Sequence, residues 1–219
     1  MNKKKLRLLA IGLVILLVSS GIATFYILAG NKKTSADKIR VACVGDSITE
    51  GTGYPADLSM LLGANYTVGN FGVGGSTVSL NSQNPYMNTS AFQNATEFQP
   101  NIVIIMLGTN DAHPDLKQYN GSFVDDYMKL VAAFQALASK PKIWIVLPPP
   151  VFNNGTGIST EYFTYNVIPS IEQAAKETNL PVINVYSALA NYSDYFPDGV
   201  HPNSEGAKLI ANEIYEALI

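Results

Sequence analysis

At 219 residues the chain is long enough for one domain with a substantial core and needs no second. The formal net charge of −3 divides unevenly, with +7 over residues 1–40 and −10 over residues 41–219. Arg40 is the last arginine, so the body of the chain lacks the planar fork that grips phosphates and carboxylates, which argues against a nucleic acid partner or a strongly anionic substrate. Cys43 is the single cysteine, which rules out an intrachain disulfide, a cysteine zinc cluster or a redox pair, and its place in an apolar strand marks it as core filler.

Lys3, Lys4, Lys5 and Arg7 precede a charge-free apolar run of 22 residues, Leu8–Ala29. As a helix this run measures about 33 Å, enough to span a bilayer. The favoured expectation is therefore an uncleaved membrane anchor over residues 1–30, oriented by the preceding positive charge with the rest of the chain outside the cytoplasm. The alternative is a signal segment cleaved near Gly21-Ile22-Ala23, which gives a secreted protein. Residues 31–37 read as a polar tether, and residues 38–219 as the globular domain. Six Asn-x-Ser/Thr sequons, at Asn65, Asn88, Asn94, Asn120, Asn154 and Asn191, are compatible with export.

In the globular part, short β-type apolar runs alternate with helical patterns, the signature of a parallel sheet covered on both faces. Strands are predicted near Ile39–Val44, Thr67–Asn70, Ile102–Leu107, Lys142–Leu147 and Pro181–Val185. Helices are predicted near Tyr54–Leu62, Phe123–Ala138 and Ile168–Thr178, and a last one opens with Ser204 as its N-cap. Two irregular stretches, 76–101 with Tyr86 and Phe92, and 148–165 with Phe152, Tyr162, Phe163 and Tyr165, read as walls of a ligand cleft whose aromatics could stack on sugar rings.

The chemistry-bearing residues lie at strand ends and before the last helix. Val41 to Val44 run straight into Gly45-Asp46-Ser47, a buried strand followed by a tight turn that projects the Ser47 hydroxyl at a helix N-terminus. Asp46 itself reads as a turn-former. Gly72-Val73-Gly74-Gly75 follows the second strand, where glycine lets backbone N–H groups approach a ligand. Gly108-Thr109-Asn110-Asp111 follows the third, and an uncharged amide there suits an oxyanion hole. Of the two histidines, His201 has Asp198 three residues earlier, a spacing that lets a carboxylate hold one ring nitrogen while the other faces Ser47. His113 reads as a loop residue or rim contact. Phosphate-loop, dinucleotide and Gly-x-Ser-x-Gly patterns all fail, because Glu50, Thr77 and Thr49 stand where those motifs need other residues.

Together these blocks resemble the SGNH (GDSL) family of serine hydrolases over roughly residues 38–219, and look most similar to its carbohydrate and sialate O-acetylesterases. The resemblance lands on Ser47, Gly75, Asn110, Asp198 and His201. It implies an α/β/α sandwich with a five-stranded parallel sheet in flavodoxin-like order 2-1-3-4-5, here preceded by the N-terminal transmembrane helix. It also implies a serine esterase acting on short acyl, above all O-acetyl, groups of carbohydrates, with no metal or cofactor. The other readings are a lipase, lysophospholipase or thioesterase of the same family, and a non-catalytic glycan-binding module on the same scaffold.

Overall fold

β1 (Ile39–Gly45), β2 (Tyr66–Gly72), β3 (Ile102–Met106), β4 (Lys142–Leu147) and β5 (Val182–Asn184) pair side by side in the order β2-β1-β3-β4-β5, every pair parallel. The structure is a computed structural model that describes residues 38–153 and 155–219, with 117–120 described by their backbone only.

Alternation along the strands sorts side chains to the two faces. Ala42, Val44, Val103, Ile105, Ile143, Ile145 and Leu147 point into one core, and Val41, Cys43, Ile104, Met106 and Val146 into the other. Both faces of the central strands are thus dry, which explains their unbroken apolar runs. The helices α3 (Ser90–Glu97), α4 (Phe123–Gln135) and α5 (Ile168–Thr178) supply Ala95, Phe134 and Ile171 to the first core. On the other side α2 (Tyr54–Leu62) packs on α6 (Ser204–Leu218), and Leu58, Ile210 and Ile214 fill the second core. Ile104 is fully buried at the centre of the sheet, so Ile104→Ala would cost about 2–5 kcal/mol through lost burial and the cavity left behind.

Local expectations need four adjustments, the first being that 148–165 turns helical at Thr160 and runs through a π-helical segment, Phe163–Val167, into α5. The stretch 76–101 is not irregular throughout, since α3 forms within it, capped by Thr89, whose hydroxyl accepts from Phe92 N–H at 3.2 Å. The N-cap of α6 is Asn203, not Ser204; its Oδ1 accepts from the N–H groups of Glu205 and Gly206 at 3.0 and 3.1 Å. The helix α4 ends at Gln135 with Ala136 as C-cap, earlier than the apolar periodicity suggests.

The expectation of an N-terminal transmembrane helix is corrected. Among the described residues no helix is long and apolar enough to cross a membrane, and the run Leu8–Ala29 lies outside the described residues. The expected membrane partner and membrane-anchored location rested on that helix alone, and both lose their support with it.

Candidate active site

β1 delivers the nucleophile candidate. Its last residue, Gly45, packs so closely on the following turn that a Cβ there would lie 1.9 Å from the Thr49 hydroxyl and 2.8 Å from Met106 O. Only a bare backbone permits the sharp exit into α1 (Ser47–Gly51). Asp46 caps this short helix, its Oδ1 accepting from Ile48 N–H at 3.0 Å, and Ser47 is the first helical residue. Asp46 is nearly inaccessible, and burial pushes its carboxyl up to about 6 against the opposing pull of Ile48 N–H. The Thr109 hydroxyl lies near enough to oppose the shift too, yet neither it nor Asp46 Oδ2 has a partner in hydrogen-bond geometry among the described residues.

The loop before α6 brings the other two groups. Ser47 Oγ stands 2.7 Å from His201 Nε2, and His201 Nδ1 stands 2.6 Å from Asp198 Oδ2. Gly199, at φ +81°, turns the chain so that the backbone N–H groups of Val200 and His201 both donate to Asp198 Oδ1, at 2.9 and 2.7 Å. Partial burial raises the Asp198 carboxyl, but the His201 N–H, the His201 ring and the Val200 N–H outweigh it and hold the group down at about 2. An ionised Asp198 therefore places the imidazole proton on Nδ1 and leaves the Nε2 lone pair facing the Ser47 hydroxyl.

Gly75 and Asn110 line the same cavity as His201. Gly75 adopts φ +72°, a left-handed conformation that glycine takes without strain. The Asn110 amide donates from Nδ2 to Ser76 O at 2.9 Å, which fixes the plane of the amide at the cavity wall. Behind it, Asp111 accepts from Val78 N–H, Ser79 N–H and the Ser79 hydroxyl at 2.9, 2.9 and 2.6 Å. Burial nevertheless raises Asp111 to about 6, because three neutral donors replace bulk water incompletely.

Ser47, Gly75, Asn110 and His201 all line one cavity of about 370 Å³, whose remaining wall is Thr77, His113, Leu116, Thr156, Ile158 and Val200. The five residues singled out in the sequence thus converge, with Asp198 one layer behind His201. The two stretches read as cleft walls supply Thr77, Thr156 and Ile158 to this cavity, but none of their aromatic rings lines it. Tyr86 is buried, its hydroxyl donating to Phe71 O at 2.7 Å; Phe92 packs edge-on against Phe134; Phe163 is buried; and Phe152 packs on Phe196. These rings close the two cores, where each removes more apolar area from water than a cleft position would. Leu116 and Val200, outside both stretches, went unrecognised as cavity residues, and nothing in their local pattern distinguishes them from core residues. Among the described residues, no group of three or more His, Cys, Asp or Glu side chains is arranged to hold a metal ion.

The chain is similar to known proteins over most of its length. Residues 43–209 match the GDSL-like Lipase/Acylhydrolase family. An acetylxylan esterase of Xylanibacter ruminicola is 36% identical over 208 residues, covering 83% of this chain and 43% of that protein. The GDSL esterase/lipase WDL1 of Oryza sativa subsp. japonica is 24% identical over 151 residues, covering 58% of this chain and 56% of its own. The chain thus spans about half the length of the curated relatives it matches. Among solved structures, the fold is shared with an aryl esterase of M. smegmatis (TM-score 0.68, 19% identity, covering 82% of this chain and 98% of that one). It is shared as well with Est24, a carbohydrate acetylesterase from Sinorhizobium meliloti (TM-score 0.67, 20% identity, covering 83% and 98%). The match covers most of the chain and every motif that builds the cavity, and the chain belongs to the GDSL-like lipase/acylhydrolase family.

Proposed function

We propose that the protein is a serine esterase that removes short acyl groups, acetyl foremost, from carbohydrate hydroxyls, with residues 38–219 as its catalytic domain. The observation that carries this reading is the continuous relay Ser47 Oγ, His201 Nε2, His201 Nδ1, Asp198 Oδ2, with links of 2.7 and 2.6 Å, opening into a cavity also lined by Gly75 and Asn110. The relative with 36% identity is an acetylxylan esterase, which favours acetyl groups on a polysaccharide.

His201 Nε2 takes the Ser47 proton as Oγ attacks the ester carbonyl, and Asp198 stabilises the imidazolium that results. The oxyanion of the tetrahedral intermediate is held by the N–H groups of Ser47 and Gly75 and by the Asn110 amide, neutral donors that cannot surrender a proton to it wrongly. His201 then protonates the departing sugar oxygen, the C–O bond breaks, and an acyl group remains on Ser47. Water, deprotonated by the same imidazole, releases the acid and restores the serine.

The test is acetate release from acetylated xylan and acetylated sugars, with p-nitrophenyl esters of increasing chain length in parallel. Ser47→Ala should abolish turnover and keep the fold, and the rate should fall steeply beyond butyryl. Turnover by Ser47→Ala would end the assignment, and a preference for long chains would move it to lipase chemistry.

A further inference from the structure

Two adjacent glycines, Gly74 and Gly75, carry the backbone N–H assigned to the oxyanion, and such a pair is the least rigid place in a chain to put a catalytic donor. Its rigidity has to come from outside. Glu50 Oε2 accepts from Gly74 N–H at 2.8 Å, and Asn84 Nδ2 donates to Gly74 O at 3.3 Å. Both peptide planes flanking Gly74 are therefore tied down by side chains, and the second is the peptide whose N–H belongs to Gly75.

We propose that Glu50 and Asn84 are positioning residues that clamp the Gly74–Gly75 peptide and so set the oxyanion donor against the nucleophile. The proposal rests on the esterase reading above, which supplies the oxyanion. Glu50 lies three residues after Ser47 on α1, so the nucleophile and one jaw of the clamp ride on the same helical turn. That turn is itself locked to β2: Asn70 Nδ2 donates to Glu50 O at 3.2 Å, and a Cβ on Gly72 would lie 2.2 Å from Glu50 N. Asn84 acts electronically as well as sterically. A hydrogen bond to the carbonyl of a peptide polarises its N–H, which makes Gly75 a stronger donor. Glu50 and Asn84 are both exposed, so neither bond is required to satisfy a buried polar atom. A carboxylate near a developing oxyanion is also electrostatically unfavourable, so its presence there argues for geometry over charge.

Glu50→Ala and Asn84→Ala should each lower kcat on p-nitrophenyl acetate by about 10- to 100-fold with KM within about twofold, part of the roughly 10²–10³ expected for losing a whole oxyanion donor. Glu50→Gln keeps an acceptor oxygen for Gly74 N–H and should stay within about threefold of the unsubstituted protein, whereas a charge role would make it as poor as alanine. Unchanged kcat in both alanine variants, equal losses in Glu50→Ala and Glu50→Gln, or losses confined to KM would each overturn the proposal. An activity-independent arm is amide hydrogen exchange at Gly74, which should quicken at least about tenfold in Glu50→Ala and not in Glu50→Gln. Unchanged exchange at Gly74 would sink the clamp even if no ester is turned over. An inactive parent protein, or a fully active Ser47→Ala, would instead bring down the esterase reading.

Discussion

The Asn110 side chain donates to the carbonyl of Ser76 at 2.9 Å, linking the turn after β3 to the loop after β2 across the end of β1. One amide hydrogen is spent on holding the amide in place, and the second is left to serve the cavity. This is preorganisation: the donor is oriented before any charge develops, so no reorganisation opposes the reaction.

Replacing Asn110 with alanine should therefore lower kcat by about 10²–10³ while changing KM little, since the interaction strengthens only as the carbonyl oxygen becomes charged. Steady-state kinetics on p-nitrophenyl acetate checks this. A loss confined to KM would mean that Asn110 binds the ground state instead.

Asp198→Asn should reduce kcat by about 10²–10⁴ because the amide can hold His201 in the wrong tautomer, with its lone pair away from Ser47. The carbonyl oxygen of the introduced amide can still accept from the Val200 and His201 N–H groups, which carry the loop conformation. Thermal unfolding should accordingly change far less than activity, and an equal collapse of both would show that the carboxylate serves the fold first.

Asp46 bears on the pH dependence of stability. Its folded carboxyl sits near 6 because of burial, above the ordinary 3.8, so between these values the folded state holds more protons than the unfolded one. Stability from this group is thus full below about pH 4 and is lost as pH rises through about 6. Asp111, also near 6, adds a fall of the same sign, whereas Asp198, held at about 2, acts oppositely and only in a more acid window. Asp46→Asn should flatten part of the decline between about pH 4 and about pH 7 in urea unfolding, and its Nδ2 gains the unpartnered Thr109 hydroxyl as an acceptor. Parallel curves for the two proteins across that window would refute this.

The cavity wall bears on acyl length. Leu116, Ile158 and Val200 give the cavity its apolar surface. Shortening both Leu116 and Ile158 to alanine should raise the ratio of kcat/KM for hexanoyl over acetyl esters by about tenfold or more, because a methylene in such a pocket is worth about 1–3 kcal/mol. A ratio unchanged by the double substitution would place the acyl chain elsewhere.

Local periodicity in the chain was enough to locate all five strands and the helix Tyr54–Leu62, whereas the helical path into Ile168–Thr178 already begins at Thr160, inside a stretch read as irregular. Such patterns are legible because a strand or helix repeats its exposure about every 2 or 3.6 residues, whatever lies around it. The positions of Ser47, Gly75 and Asn110 after strand ends could be read for the same reason. What only the tertiary structure decided lies in the irregular segments. There it turned Tyr86, Phe92 and Phe152 into the cores and away from the cleft, and brought Leu116 and Val200 to the cavity. It moved the cap of the last helix to Asn203 and set Glu50 and Asn84 on the Gly74 peptide. No repeat governs a side chain in a loop; its direction follows from partners tens of residues away, and those become neighbours only once the sheet has assembled.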